Sequence, residues 1–112
     1  MKNLTLLDLS EQGQATTSKY TNLPLSLVND HVVRLSIMTQ PYCWHYHPNS
    51  DESFLGVEGI LIIELEDQTI EVYPGQLFTI PKGIPHKTHP KDQRSVNLTF
   101  EHQHMETIFM EA

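Results

Sequence analysis

His45 and His47 stand two residues apart in the run Trp44-His45-Tyr46-His47. On an extended strand, side chains two apart share a face at a spacing of about 7 Å. Both imidazoles can then reach one divalent ion at about 2.0–2.1 Å. Glu52 follows His47 across Pro48-Asn49-Ser50, a sequence that turns the chain. A hairpin at that point lays the Glu52 carboxylate beside the histidine pair. His86 lies well downstream, behind Gly75, Pro81 and Gly83 in the spacing G-x5-P-x-G-x2-H. Two turns there bracket one strand, and a histidine opens the next, so that across a closed barrel His86 faces the first three residues. Three imidazoles and a carboxylate suit one divalent transition ion: iron, manganese, nickel, zinc or cobalt. Four protein ligands on tetrahedral zinc make a closed structural site, whereas a six-coordinate ion keeps positions for water, substrate or dioxygen.

The other histidines read differently. His89 has the opposite parity to His86 and belongs at the surface or the pocket rim, and His31 sits in a turn. His102 and His104 repeat the His-x-His spacing near Glu101 and Glu106 but lack a second half, which suits an exposed tail binding metal loosely. Cys43, the single cysteine, cannot form an intramolecular disulfide and reads as a small, partly buried hydrophobe.

Short strands must position these residues. Val32 to Thr39 alternates, with Val33, Leu35 and Ile37 on one face and Arg34, Ser36 and Met38 on the other. Tyr42 to His47 is a second extended run, and Glu52 to Glu58 a third, closed by Gly59. Ile60 to Leu65 is apolar on both faces, Thr69 to Tyr73 follows a polar break at Glu66-Asp67-Gln68, and Pro74-Gly75 is a turn signal. Gln76 to Ile80, a short strand around His86, and Ser95 to Phe100 complete the set, with Val96, Leu98 and Phe100 sharing a face. Strands punctuated by Pro and Gly at this interval predict an antiparallel sandwich or barrel, an all-β fold. Residues 1–31 read as an irregular N-terminal arm, and Glu101 to Ala112 as a tail with a short helix whose stripe is Met105, Ile108 and Phe109.

At 112 residues the chain has room for one domain, residues 1–112. Seven Lys and Arg against 14 Asp and Glu give a formal net charge of −7 without any basic cluster. A nucleic-acid surface needs a positive stripe, so that class of partner is excluded. No apolar run approaches the length of about 20 residues that a membrane helix requires, so no membrane partner is expected. Met1 to Asp8 is too short and too soon acidic for a signal peptide, which sets the expected location as cytoplasmic.

Over residues 32–100 the chain resembles the small single-domain cupins. His45, His47, Glu52 and Gly59 match the first cupin motif, G-x5-H-x-H-x(3–4)-E-x6-G, and Gly75, Pro81, Gly83 and His86 match the second, G-x5-P-x-G-x2-H-x3-N. Thr39 and Pro90 replace the opening Gly and the closing Asn. Neither position is a metal ligand in the family, so these departures bear on loop shape and pocket polarity. The resemblance implies a double-stranded β-helix, or jelly-roll barrel, with one metal ion near its wider mouth. It also implies a homodimer formed through an edge or face of the barrel, with Trp44 and Tyr46 turned outward.

Function follows as an expectation: a metalloenzyme acting on a small organic molecule by dioxygenase-type or Lewis-acid isomerase-type chemistry. Strand parity places Cys43, Phe54 and Thr88, with Met38 and Phe100, on the lining of an otherwise largely apolar pocket. The alternative is a non-catalytic module that binds or senses a small ligand or a metal. A sugar-phosphate isomerase ranks lower, since only Arg34, Arg94 and a few lysines are available to hold a phosphate.

Overall fold

β-branched and aromatic residues alternating with polar ones dominate from Tyr20 onward, and they form strands because that pattern fits a pleated surface with one buried face. The computed structural model describes residues 4–14 and 20–110. A short helix, α1 (Leu9–Gln14), precedes ten strands: β1 (Tyr20–Val28), β2 (His31–Met38), β3 (Tyr42–Tyr46), β4 (Glu52–Glu58), β5 (Leu61–Leu65), β6 (Thr69–Val72), β7 (Leu77–Ile80), β8 (His86–Pro90), β9 (Ser95–His102) and β10 (Ile108–Phe109). They make two five-stranded sheets, ordered β1-β2-β9-β4-β7 and β10-β3-β8-β5-β6, in which all strand pairs are antiparallel. Sequence neighbours β3 and β4 lie in different sheets, as do β7 and β8. The two motif loops therefore cross from one sheet to the other at the same end of the molecule.

Between the sheets, Met38, Phe54, Leu61, Ile63, Val72 and Ile80 form an apolar plug. Full burial of such side chains stabilises by about 1.5–3 kcal/mol each. A second cluster, Leu35, Ile37 and Val96, lies on the opposite face of the β1-β2-β9-β4-β7 sheet, packed against Leu9, Leu23, Leu25, Val57 and Leu98. The apolar alternation of β2 and β9 thus points out of the barrel, under α1. The inward face of β9 is instead Ser95, Asn97, Thr99 and Glu101, all buried.

Two sequence expectations change. Part of the stretch expected to be irregular is β1, an edge strand whose Leu23, Leu25 and Leu27 alternate; Pro24 is tolerated there because an edge strand need not donate on both sides, and the register shifts between Pro24 and Ser26. Residues 1–3 and 15–19 of the expected arm lie outside the described residues. The tail holds no helix among its described residues: β9 runs on to His102, and β10 pairs with β3 through Ile108–Tyr46 and Phe109–His45. Residues 111 and 112 lie outside the described part.

Candidate metal centre

The two loops are tied together independently of the four candidate ligands' side chains. Gly83 donates its backbone N–H to the His47 carbonyl at 2.8 Å, and Lys82 donates its own to Asp51 Oδ1 at 2.9 Å. Gly83 holds φ at 84°, a left-handed conformation that glycine adopts without steric penalty. These links set the start of β8 beside the end of β3. His45 pairs directly with His86 across the two strands. Glu52 opens β4 in the other sheet and reaches toward them.

His45, His47, Glu52 and His86 are all buried, and each offers a ligand atom within 4.8 Å of the others. Glu52 Oε1 lies 3.2 Å from His47 Nε2 and 3.4 Å from His86 Nε2. Metal bonds of about 2.0–2.2 Å at tetrahedral or octahedral angles put neighbouring donors about 3.0–3.5 Å apart, so these separations suit one shared ion.

Orientation is fixed from behind. Nδ1 of His45 lies 2.7 Å from the Cys43 carbonyl, Nδ1 of His86 2.9 Å from the Ile84 carbonyl, and Nδ1 of His47 3.0 Å from the Glu106 carbonyl, with Thr107 Oγ1 at 3.2 Å. A carbonyl only accepts, so each Nδ1 carries the proton and each Nε2 presents a lone pair. Nε2 of His47, Nε2 of His86 and Oε1 of Glu52 are buried without a hydrogen-bond partner. Unsatisfied buried polar atoms are costly, on the order of 1–3 kcal/mol each, and three aimed at one point fit a cation. The four residues fit a divalent transition ion.

Electrostatics agree. Burial pulls His45 down to about 4, which keeps it neutral at physiological pH. Burial also opposes charge on His47, but contact with Glu52 outweighs it and the net shift is upward. Glu52 is held down to about 2: burial pushes it up, and His47 and His86 more than reverse that. A carboxylate ionised in so enclosed a place is a strong cation ligand.

Beside the cluster opens a cavity of about 220 Å³. Met38, Phe54 and Thr88 line it, as strand parity suggests. Cys43 is exposed, and Phe100 falls on the other face of β9, in register with Ser53 and Val33. The β3–β8 register shifts between Tyr42 and His45, which breaks parity and turns Tyr42 to the cavity in place of Cys43. The pocket is also more polar than expected, for Tyr20, Asn22, Arg34, Ser36, Thr99, Glu101 and Thr107 share the lining. Parity with Met38 was a usable signal for Arg34 and Ser36; nothing comparable marked Tyr20, Asn22 or Thr107, in stretches read as arm and tail. Glu101 is pushed up to about 7 by burial and by the neighbouring Glu52. Burial raises Tyr42 to about 12 and also raises Tyr20, so both phenols stay protonated at neutral pH. Arg94, in contrast, reaches Glu58 at 3.2 Å and the Gly13 carbonyl at 2.6 Å, tying α1 to the barrel.

The model of the cupin domain family (Cupin_2) matches residues 38–100, more than half of the chain. The chain is a cupin. A Bacillus subtilis relative, the uncharacterized protein YdbB, is 44% identical over 94 residues, which are 83% of this cupin and 82% of that protein. The crystal structure of a cupin-2 domain protein from Shewanella frigidimarina superposes with a TM-score of 0.82 at 26% identity, over 88% of this chain and 95% of that one. A sugar phosphate isomerase of the cupin superfamily from Silicibacter pomeroyi gives 0.71 at 18% identity, over 84% of this chain and 67% of that one, a likeness of fold alone. No described helix of this cupin is long and apolar enough to cross a membrane.

Proposed function

We propose that this cupin is a metalloenzyme acting on a small oxygen-bearing organic molecule by Lewis-acid chemistry. The observation that carries the reading is the convergence of three buried donor atoms without partners, Nε2 of His47 and His86 and Oε1 of Glu52, on a site that opens into a cavity. A divalent ion held there by His45, His47, Glu52 and His86 supplies electrophilic polarisation of a substrate oxygen. The chain's own residues do the rest. His45 and His86 stand paired on adjacent strands with their Nδ1 protons committed to carbonyls, so neither ring can turn away. Tyr42 packs edge-on against His45 with ring centroids 4.9 Å apart and closes that side. Phe54 and Leu61 give the cavity apolar wall, while Thr88, Thr99 and Thr107 on the same lining bring hydroxyl groups suited to an oxygen-rich ligand.

The polar lining favours Lewis-acid over dioxygenase chemistry, because an isomerisation or elimination needs groups that bind hydroxyls and carbonyls. The fold likeness to an isomerase is compatible with this and carries no weight of its own.

Protein purified without a chelating tag and counted for metal should carry one ion per chain. Loaded protein, screened anaerobically against hydroxy and oxo compounds in deuterated water, should introduce deuterium into, or rearrange, at least one of them. Turnover that appears only with oxygen would replace this reading with an oxygenase. Tight, reversible binding with no turnover in either atmosphere would make the chain a binding module.

A further inference from the structure

Among the described residues, Arg34 is the one lysine or arginine on the cavity lining. It sits on the inward face of β2, held by Asn22 Oδ1, which accepts from Nη1 at 3.4 Å, and by Glu101 Oε2, 3.5 Å from Nε. Ser53 pairs with Phe100, which sets Glu52 beside Glu101 on the inward face of neighbouring strands. The guanidinium and the metal ligands thus line one cavity, with the Glu101 carboxylate between them. A cavity of about 220 Å³ is also below the roughly 300–1,000 Å³ typical of drug-sized ligands.

Charge narrows the class. Glu52 would leave a divalent ion one net positive charge, and Arg34, shared with Glu101, adds a cation to the same cavity. One anionic charge completes the balance. A phosphate, at about −1.5 to −2, exceeds what a single arginine already shared with Glu101 offsets. Further inside, the β9 ladder holds Asn97 with both amide atoms buried and unpartnered, and Thr99 Oγ1 and Ser95 Oγ in the same state. Asn97 stands in register with Ser36, itself on the lining. Of this row Thr99 lines the cavity beside Ser36, so the wall there offers partners to hydroxyl or carbonyl groups.

We propose that the cavity takes a small hydroxy- or oxo-carboxylate, with its carboxylate on Arg34 and a second oxygen directed at the metal site. The inference rests on the metal-site reading for its second contact and stands on Arg34, Asn22, Glu101 and the β9 ladder for its first.

Acids and their amides separate charge from shape. Lactate, 3-hydroxybutyrate and 4-hydroxybutyrate would each be titrated calorimetrically against the corresponding amide. Wild-type, Arg34→Gln and Arg34→Lys proteins would be used, with and without zinc, and metal per chain counted in every sample. At least one acid should bind about tenfold more tightly than its amide, as a charge-assisted bidentate contact provides. Arg34→Gln should bring that ratio close to one with metal content unchanged, and Arg34→Lys should retain part of it. Should Arg34→Gln not fold, Arg34→Met, which keeps an apolar stem and drops the charge, decides: a ratio equal to wild type overturns the proposal. Equal affinities for acid and amide in the wild type, no binding of any acid at millimolar concentration, or tighter binding of inorganic phosphate than of every acid would each overturn it. A chain that takes up no zinc yet keeps the Arg34-dependent preference sinks the metal reading and leaves this one standing.

Discussion

Two groups of histidines face each other across the sequence and behave as opposites in the fold. His45, His47 and His86 are buried, and each anchors Nδ1 on a backbone carbonyl. Their free nitrogens converge with Glu52. His31, His102 and His104 lie near Asp30 at the surface, with ring centroids 5.6 Å apart for His31–His102 and for His102–His104. Here His102 Nδ1 accepts from the His104 backbone N–H, while Asp30 takes His31 at 2.8 Å and His102 at 3.5 Å. The two ring nitrogens of His102 are thus engaged by a backbone N–H and by Asp30, and none of the three rings is aimed at a common point with a buried carboxylate. Composition does not distinguish the groups; the direction in which each ring is held does, together with burial that leaves donors unsatisfied.

The largest test of this contrast removes a donor. His86→Ala or Glu52→Ala should lower affinity for zinc or nickel by more than about a hundredfold, since losing a ligand exceeds the roughly 10–100-fold typical of losing its support. Competition with a chromogenic chelator would measure it. A loss below tenfold in both variants would mean that the four residues do not share one ion.

Acid should expose the second difference. His45 has its folded-state value pulled down to about 4 by burial, against an ordinary 6.5. Its contribution to stability is therefore complete above about pH 6.5 and is lost as pH falls toward 4, where the unfolded chain binds a proton that the folded chain refuses. The metal-free protein should lose about 2–3 kcal/mol over that window from this residue, at about 1.36 kcal/mol per pH unit. Melts of wild type and His45→Gln, paired at pH 7 and pH 4, would show it. A variant that tracks wild type at both values would show that burial does not hold His45 neutral.

Much of this was legible in residue order. The inner cluster could be read because its spacing is set by rigid rules: alternate residues of a strand share a face, and Gly83 with Pro81 fixes where β8 begins. The polar cavity wall was harder. The apolar alternation Val96-Leu98-Phe100 marks a buried face, but two buried faces exist, one inside the barrel and one under α1, and periodicity is blind to which is which. Tyr42 replaced Cys43 at the cavity because a register shift reverses parity, and such shifts carry no local sequence mark. The C-terminal segment was misread because its role is carried by its main chain: what it brings to His47 is the Glu106 carbonyl, which any residue type possesses.

That segment joins the two regions. Asn49 Oδ1 accepts from the Glu106 N–H at 2.8 Å, and Asn49 Nδ2 donates to the His104 carbonyl at 3.1 Å. One side chain therefore holds in place the turn that carries the outer His104 and the carbonyl that orients the inner His47. Asn49→Ala should weaken metal binding about tenfold, the low end for losing a group that positions a ligand, while leaving the four ligands in place. Asn49→Asp, which keeps the acceptor for the Glu106 N–H, should recover most of the loss. Equal losses in both variants would mean that the donor arm to His104 carries the effect.

The smallest expected effect is the most discriminating. His104 contributes its carbonyl to Asn49 and its N–H to His102 Nδ1, both through the main chain, and its side chain is exposed. His104→Ala keeps both groups, so metal affinity should stay within about twofold of wild type, and stability within the roughly 0.5 kcal/mol usual for surface changes. His104→Pro removes the N–H and fixes φ, and should disturb the turn and with it the hold on His47. A large loss from alanine would place the His104 imidazole itself in the metal site and collapse the distinction between the two clusters. A loss from proline alone would show that the outer histidines matter to the inner ones only through the backbone they ride on.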